Sequence, residues 1–120
     1  MSNEINIDQI LENIVAIELR RRGYRISVGR LSKDKKEKEI DFIAERHQSK
    51  LYIQVSYLIA NKETEEREFG ALLSVPDNFP KLVLSLDPIL RPQKGIDHQD
   101  LCQWLLNASK LSVFLNWWAF

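Results

Sequence analysis

A chain of 120 residues with 44 % apolar content fits one domain with its own core and excludes a disordered polypeptide. Its 17 Lys and Arg balance its 17 Asp and Glu, so it lacks the basic excess of a dedicated nucleic-acid binder, although a local basic patch stays possible. A lone cysteine, Cys102, excludes an intrachain disulfide and favours a reducing, cytoplasmic setting. Met1 to Ile10 has neither the basic nor the apolar region of a secretory signal, and no apolar run nears the roughly 18 residues that span a membrane. No G-x-x-x-x-G-K-[ST] stretch occurs, so the chain is not itself a P-loop ATPase.

Residues 6 to 22 predict a helix. Ile7, Ile10, Leu11, Ile14, Val15 and Ile17 recur at helical spacing, Asn6 or Asp8 can cap the start, and Arg20 to Arg22 followed by Gly23 suit the end. Tyr24 to Leu31 alternates as a strand with Tyr24, Ile26 and Val28 on one face, and Ser32 to Lys38 reads as a charged loop. Glu39 to Glu45 and Lys50 to Tyr57 form a strand pair joined at His47-Gln48-Ser49. Glu63 to Ser74 is a helix broken by Pro76 and Pro80, and Lys81 to Leu86 is a strand closed by Asp87-Pro88. Asp97 to Asn107 reads as an amphipathic helix carrying Leu101, Trp104 and Leu105. The order is αβββαβα: an α/β domain with a central mixed sheet flanked by helices. The strand of residues 81–86 should pair in parallel with that of residues 50–57, because a helix separates them.

Three positions carry oxygen ligands toward one place. Glu12 lies in the first helix, Asp41 in the second strand and Gln54 in the third, where the last two can meet across the pair. Hard cations such as Mg²⁺ take such ligands and can activate water against a phosphodiester. Plainer readings stand beside these. Glu12 lies at the edge of an apolar stripe, and Asp41 shares a face with Glu39 and Ile43, where a solvated strand explains it equally. Glu18 sits nearer the centre of the stripe and calls for an arginine partner or an interface. His47 and His98 read as surface residues and Cys102 as a core residue. Neither histidine has a companion at zinc spacing. Arg20 to Arg22 and the run Lys33 to Lys38 can touch phosphates, but the second run also holds acids and reads as solvated.

A helix bearing a Glu, a strand, then Ile40-Asp41-Phe42-Ile43-Ala44 and a strand centred on Gln54-Val55-Ser56 resembles the PD-(D/E)XK, restriction-endonuclease-like superfamily. Glu12 precedes Gly23-Tyr24 by 11 residues, a spacing similar to that of archaeal Holliday-junction resolvases. More closely, the chain resembles a C-terminal domain of unknown function found in many prokaryotic AAA+ ATPases. Leu11-Glu12-Asn13-Ile14-Val15, Arg22-Gly23-Tyr24, Glu39-Ile40-Asp41-Phe42, Tyr52 to Tyr57, Arg67-Glu68-Phe69, Pro76-Asp77-Asn78 and Leu84 to Asp87 carry that resemblance.

The resemblance implies a restriction-endonuclease-like fold over residues 1–108, with 109–120 as an apolar, aromatic extension. It implies Glu12, Asp41, Gln54 and Tyr57 as site residues, with Glu12 and Asp41 toward Mg²⁺ or Mn²⁺. Two departures weigh against catalysis. Gln54 stands where active nucleases carry an acid, and Ser56 where they carry a lysine that steadies the transition state. Gln54 and Tyr57 resemble the Gln and Tyr by which some superfamily members compensate. The expectation is a catalytically degenerate accessory domain that binds a partner or nucleic acid beside an AAA+ ATPase module. The alternatives are a metal-dependent DNA endonuclease using Glu12 and Asp41, and a homo-oligomerisation module that pairs through the tail of residues 111–120.

Overall fold

The computed structural model describes residues 5–33 and 36–114. The elements are α1 (Ile7–Arg21), β1 (Arg25–Lys33), β2 (Lys36–Arg46), β3 (Ser49–Ser56), α2 (Lys62–Leu73), β4 (Lys81–Ser85), β5 (Asp97–Asp100) and α3 (Leu101–Phe114). They build an α/β fold around one mixed sheet of order β1-β2-β3-β4-β5. The first three strands form an antiparallel meander. β4 joins β3 in parallel after α2, as the strand–helix–strand pattern predicts, and β5 joins β4 in parallel. Leu11, Val15 and Leu19 of α1 and Leu101 and Trp104 of α3 pack on one sheet face with Phe42, Ala44, Ile53, Val55 and Leu84. Phe69, Ala71 and Leu72 of α2 pack on the other with Ile40, Tyr52 and Val83.

Local chemistry sets the boundaries. The Asn6 side chain accepts the Gln9 N–H and caps α1, and Gly23 follows with φ +90°. His47 and Gln48 take φ +50° and +68°, the two positive angles that close a tight hairpin between β2 and β3. Glu18 finds its arginines: Arg21 and Arg22 reach its carboxylate at 2.7 and 2.8 Å. Arg22 also donates to the Trp104 carbonyl at 2.8 Å and lies over the Trp104 ring, fixing α3 against α1.

The structure corrects the sequence reading at several points. Residues 97–107 are not one helix: Asp97–Asp100 form β5 and α3 starts at Leu101, so the order is αβββαββα. Pairing with the exposed edge of β4 outweighs the local helical pattern, and the Asp100 side chain then receives the Gln103 N–H as a cap. Of the expected loop at 32–38, residues 32–33 and 36–38 are instead the paired ends of β1 and β2, and 34–35 lie outside the described residues. Cys102 is exposed rather than in the core. α3 continues past residue 108, while 115–120, the rest of the expected tail, lie outside the described residues.

His98 is not a surface residue of a helix but is 2 % exposed in β5. Its Nδ1 accepts the Arg91 N–H at 2.8 Å, which places the proton on Nε2, 2.8 Å from Ser85 Oγ. Ser85 therefore accepts from the imidazole and is not activated by it as a nucleophile. Burial holds the His98 pKa below its ordinary value near 6.5. Unfolding releases this constraint and takes up a proton. Stability contributed here is complete above about pH 6.5 and is lost as the pH falls through the depressed folded value. The expected result is that urea unfolding shows a wild-type stability lead over His98→Asn that shrinks between pH 7.5 and pH 5; a pH-independent difference would contradict it.

Candidate functional site

β2 carries an extra residue where it passes β1. Ser27 pairs with Ile43 but Gly29 with Ile40, so Asp41 and Phe42 together oppose Val28. This bulge breaks the side-chain alternation, as bulges do beside functional sites. Ile40 and Ile43 both turn to the α2 face while Phe42 turns to the α1 face, so strict alternation fails between residues 40 and 43. Val28, expected beside Tyr24 and Ile26 on a covered face, is left 55 % exposed. Gly29 is needed beneath the bulge: a Cβ there would stand 2.8 Å from Ile43 Cδ1 and 3.0 Å from Ile40 Cβ.

On the other side of β2, the backbone pairing with β3 ends at Phe42–Ile53. Beyond it, two side chains make the bonds the ladder would have made. Gln54 Oε1 accepts the Asp41 N–H at 2.7 Å, and Gln54 Nε2 donates to the Glu39 carbonyl at 3.2 Å. Asp41 Oδ2 accepts the Val55 N–H at 2.8 Å. Gln54 is buried and both ends of its amide are used.

These residues wall a cavity of about 320 Å³ between the splayed strands and α2, with Glu37, Lys38, Glu39, Asp41, Gln54, Glu66, Arg67, Glu68 and Ala71 around it. Acids outnumber bases, and the electrostatics follow. Burial raises the Asp41 pKa, opposed by the Val55 N–H and reinforced by Glu39 and Asp8. Burial, then the Asp41, Asp8 and Glu39 carboxylates, raise that of Glu12. Glu68 is pushed up to about 7, first by burial and then by Asp41. Arg67 stands 3.6 Å from Glu68 but is largely exposed and offsets little of this.

The structure thus brings Asp41 and Gln54 together in the cavity wall, whereas Glu12 is not among the cavity residues and feels Asp41 only as one of the carboxylates that raise its pKa. Tyr57 is not among the cavity residues. Its ring is exposed, and its N–H donates to Asp8 at 2.9 Å, tying the end of β3 to α1. Ser56 is buried and donates to the Leu58 carbonyl at 3.1 Å. Glu68 was missed as a site residue. Its signal lay in helical phase: Glu68 shares the face of Ala71 and Leu72, both buried, so a carboxylate there has to be explained.

The donor set does not fit a divalent ion as arranged. Among the described residues no group of three or more His, Cys, Asp or Glu is placed to hold a metal. One Asp41 oxygen and the whole Gln54 amide are engaged by backbone.

No family model matches the chain. A Haemophilus influenzae relative, described as "Uncharacterized protein", is 44 % identical over 75 residues. That stretch is 62 % of this chain and 17 % of the relative. The chain therefore spans only a small part of that protein's length.

Proposed function

We propose that this chain is a catalytically degenerate, restriction-endonuclease-like domain that serves as a cytoplasmic accessory module of a larger AAA+ ATPase-type protein and binds a protein partner. The observation that carries the reading is the Gln54 amide, held between the Asp41 N–H and the Glu39 carbonyl. The amide both accepts and donates there, whereas an ionised carboxylate can only accept. An ionised acid at this position, as an active nuclease would need, could not make the second bond. The position has been given over to holding β2 and β3 in register.

The acidic lining favours a protein partner with cationic groups over nucleic acid, whose phosphates it repels. The small share of the Haemophilus relative that matches supports a module within a longer chain. The rival reading, a Mg²⁺- or Mn²⁺-dependent DNA endonuclease using Glu12 and Asp41, rests on the electrostatic coupling of those two carboxylates.

The test rebuilds the missing groups. Gln54→Glu with Ser56→Lys supplies an acid and a compensating cation in one step. Metal-dependent cleavage by this variant and none by wild type is the expected outcome. A folded double variant that stays inert would remove the nuclease ancestry from the reading, and equal cleavage by both would remove the degeneracy.

A further inference from the structure

Glu68 is a buried acid with little to hold it. It is 9 % exposed and lines the acidic cavity from α2. Among the described residues no hydrogen bond reaches its carboxylate, and the cation beside it is Arg67, at 3.6 Å and with 69 % of its own side chain exposed. A carboxylate taken out of water is costly unless donors and a counter-charge come to it. Asp41 is the strongest charge acting on Glu68, so the cavity holds two coupled acids. Over the whole lining, five carboxylates stand against two cations, Lys38 and Arg67.

We infer that this cavity receives one arginine side chain of the protein partner, its guanidinium taken up by Glu68 and Asp41. The inference rests on the partner-binding role proposed above and names the group that is bound. A guanidinium is more weakly hydrated than an ammonium, so it enters a half-buried acid pair at lower cost. Its fixed fork of donors can also serve two carboxylates at once, where a lysine acts as a point charge. The cavity, about 320 Å³, lies at the small end of ligand-sized sites, roughly 300–1,000 Å³. The amide clamp need not open to admit the guest. Gln54 keeps both its backbone bonds and Asp41 Oδ2 keeps the Val55 N–H, while among the described residues Asp41 Oδ1 receives no hydrogen bond. Arg67, being exposed, can turn to solvent as the guest enters.

Nitrogen-edited NMR of the full chain, titrated with N-acetyl-arginine amide, reads the site. The Gln54 side-chain amide and the Glu68 and Val55 N–H signals should shift and saturate, with a dissociation constant on the order of millimolar, the range open to so small a ligand. N-acetyl-citrulline amide, nearly the same shape without the charge, should bind at least about tenfold more weakly. Free arginine, whose α-carboxylate the acidic lining repels, should bind about threefold more weakly than the capped form. Glu68→Gln should weaken the capped arginine at least about tenfold, whereas Glu45→Gln, outside the cavity, should leave it unchanged. Four results would overturn the inference: no saturable shift at these signals, equal binding of the citrulline analogue, unchanged affinity in Glu68→Gln, or tighter binding of free arginine, which would mark a small-molecule site instead. Any of them in a chain that leaves DNA uncut spares the degenerate-nuclease reading. Cleavage of DNA by wild type contradicts that reading whatever the titration shows.

Discussion

Gln54→Glu is expected to lower the stability of the fold by about 2–4 kcal/mol at pH 8, the sum of a lost buried hydrogen bond and an uncompensated buried carboxylate. Gln54 is 3 % exposed, and its Nε2 is the donor to the Glu39 carbonyl. A carboxylate there loses that bond and adds a negative charge among Asp41, Glu39 and Glu68. The Asp41 N–H can still be accepted, so part of the strand junction survives. The loss should shrink toward pH 5, where the new carboxyl can protonate. It should also shrink when Ser56→Lys supplies a cation. Urea denaturation of the three proteins at both pH values checks this. Equal stability of Gln54→Glu and wild type at pH 8 would mean that position 54 is not the structural clamp described above.

The second large effect concerns Glu68, which is 9 % exposed on the buried face of α2. Its pKa rises from an ordinary 4.5 to about 7, first because burial penalises the charge and then because Asp41 repels it. A raised carboxyl makes the fold most stable below about pH 4.5, and that stability is lost as the pH climbs through 7. Glu68→Gln mimics the protonated form at every pH. It should therefore stabilise the protein by about 2–3 kcal/mol at pH 8 and by almost nothing at pH 4. This trend opposes that of His98, so each is read as a difference between wild type and its own variant. A Glu68→Gln variant less stable than wild type at pH 8 would show that the ionised carboxylate has a partner stronger than Arg67.

What the sequence disclosed follows from what is local. The α1 periodicity, the meander and the parallel entry of β4 were legible because alternation, caps and a strand–helix–strand order are written in neighbouring residues. β5 was not legible. Asp97-His98-Gln99-Asp100 has no strand propensity, and it is a strand only because β4 offers an edge and Ser85 a partner for His98. The bulge at Asp41–Phe42 was hidden for a related reason. Its cause is the match of β2 to β1 across Gly29, which no single segment contains. Of the site, Asp41 and Gln54 were legible from their places in neighbouring strands and from the family resemblance, whereas the amide clamp that explains Gln54 needed three-dimensional contacts. Glu68 was readable by phase but drew no attention, since a glutamate in a charged helix looks ordinary until its neighbours are known to be buried.

The central claim is that the acidic cavity binds but does not cut. Its most direct test is cleavage of single-stranded, duplex and branched DNA by the wild-type chain in Mg²⁺ and in Mn²⁺, with Asp41→Ala alongside. Gln54 leaves Glu12 and Asp41 as the two carboxylates of the expected metal site, and Ser56 lacks the cation that commonly accounts for about 10²–10³ in rate. The account predicts no cleavage above the Asp41→Ala background on any of the three substrates. Cleavage by wild type that disappears in Asp41→Ala would contradict it and establish an active nuclease.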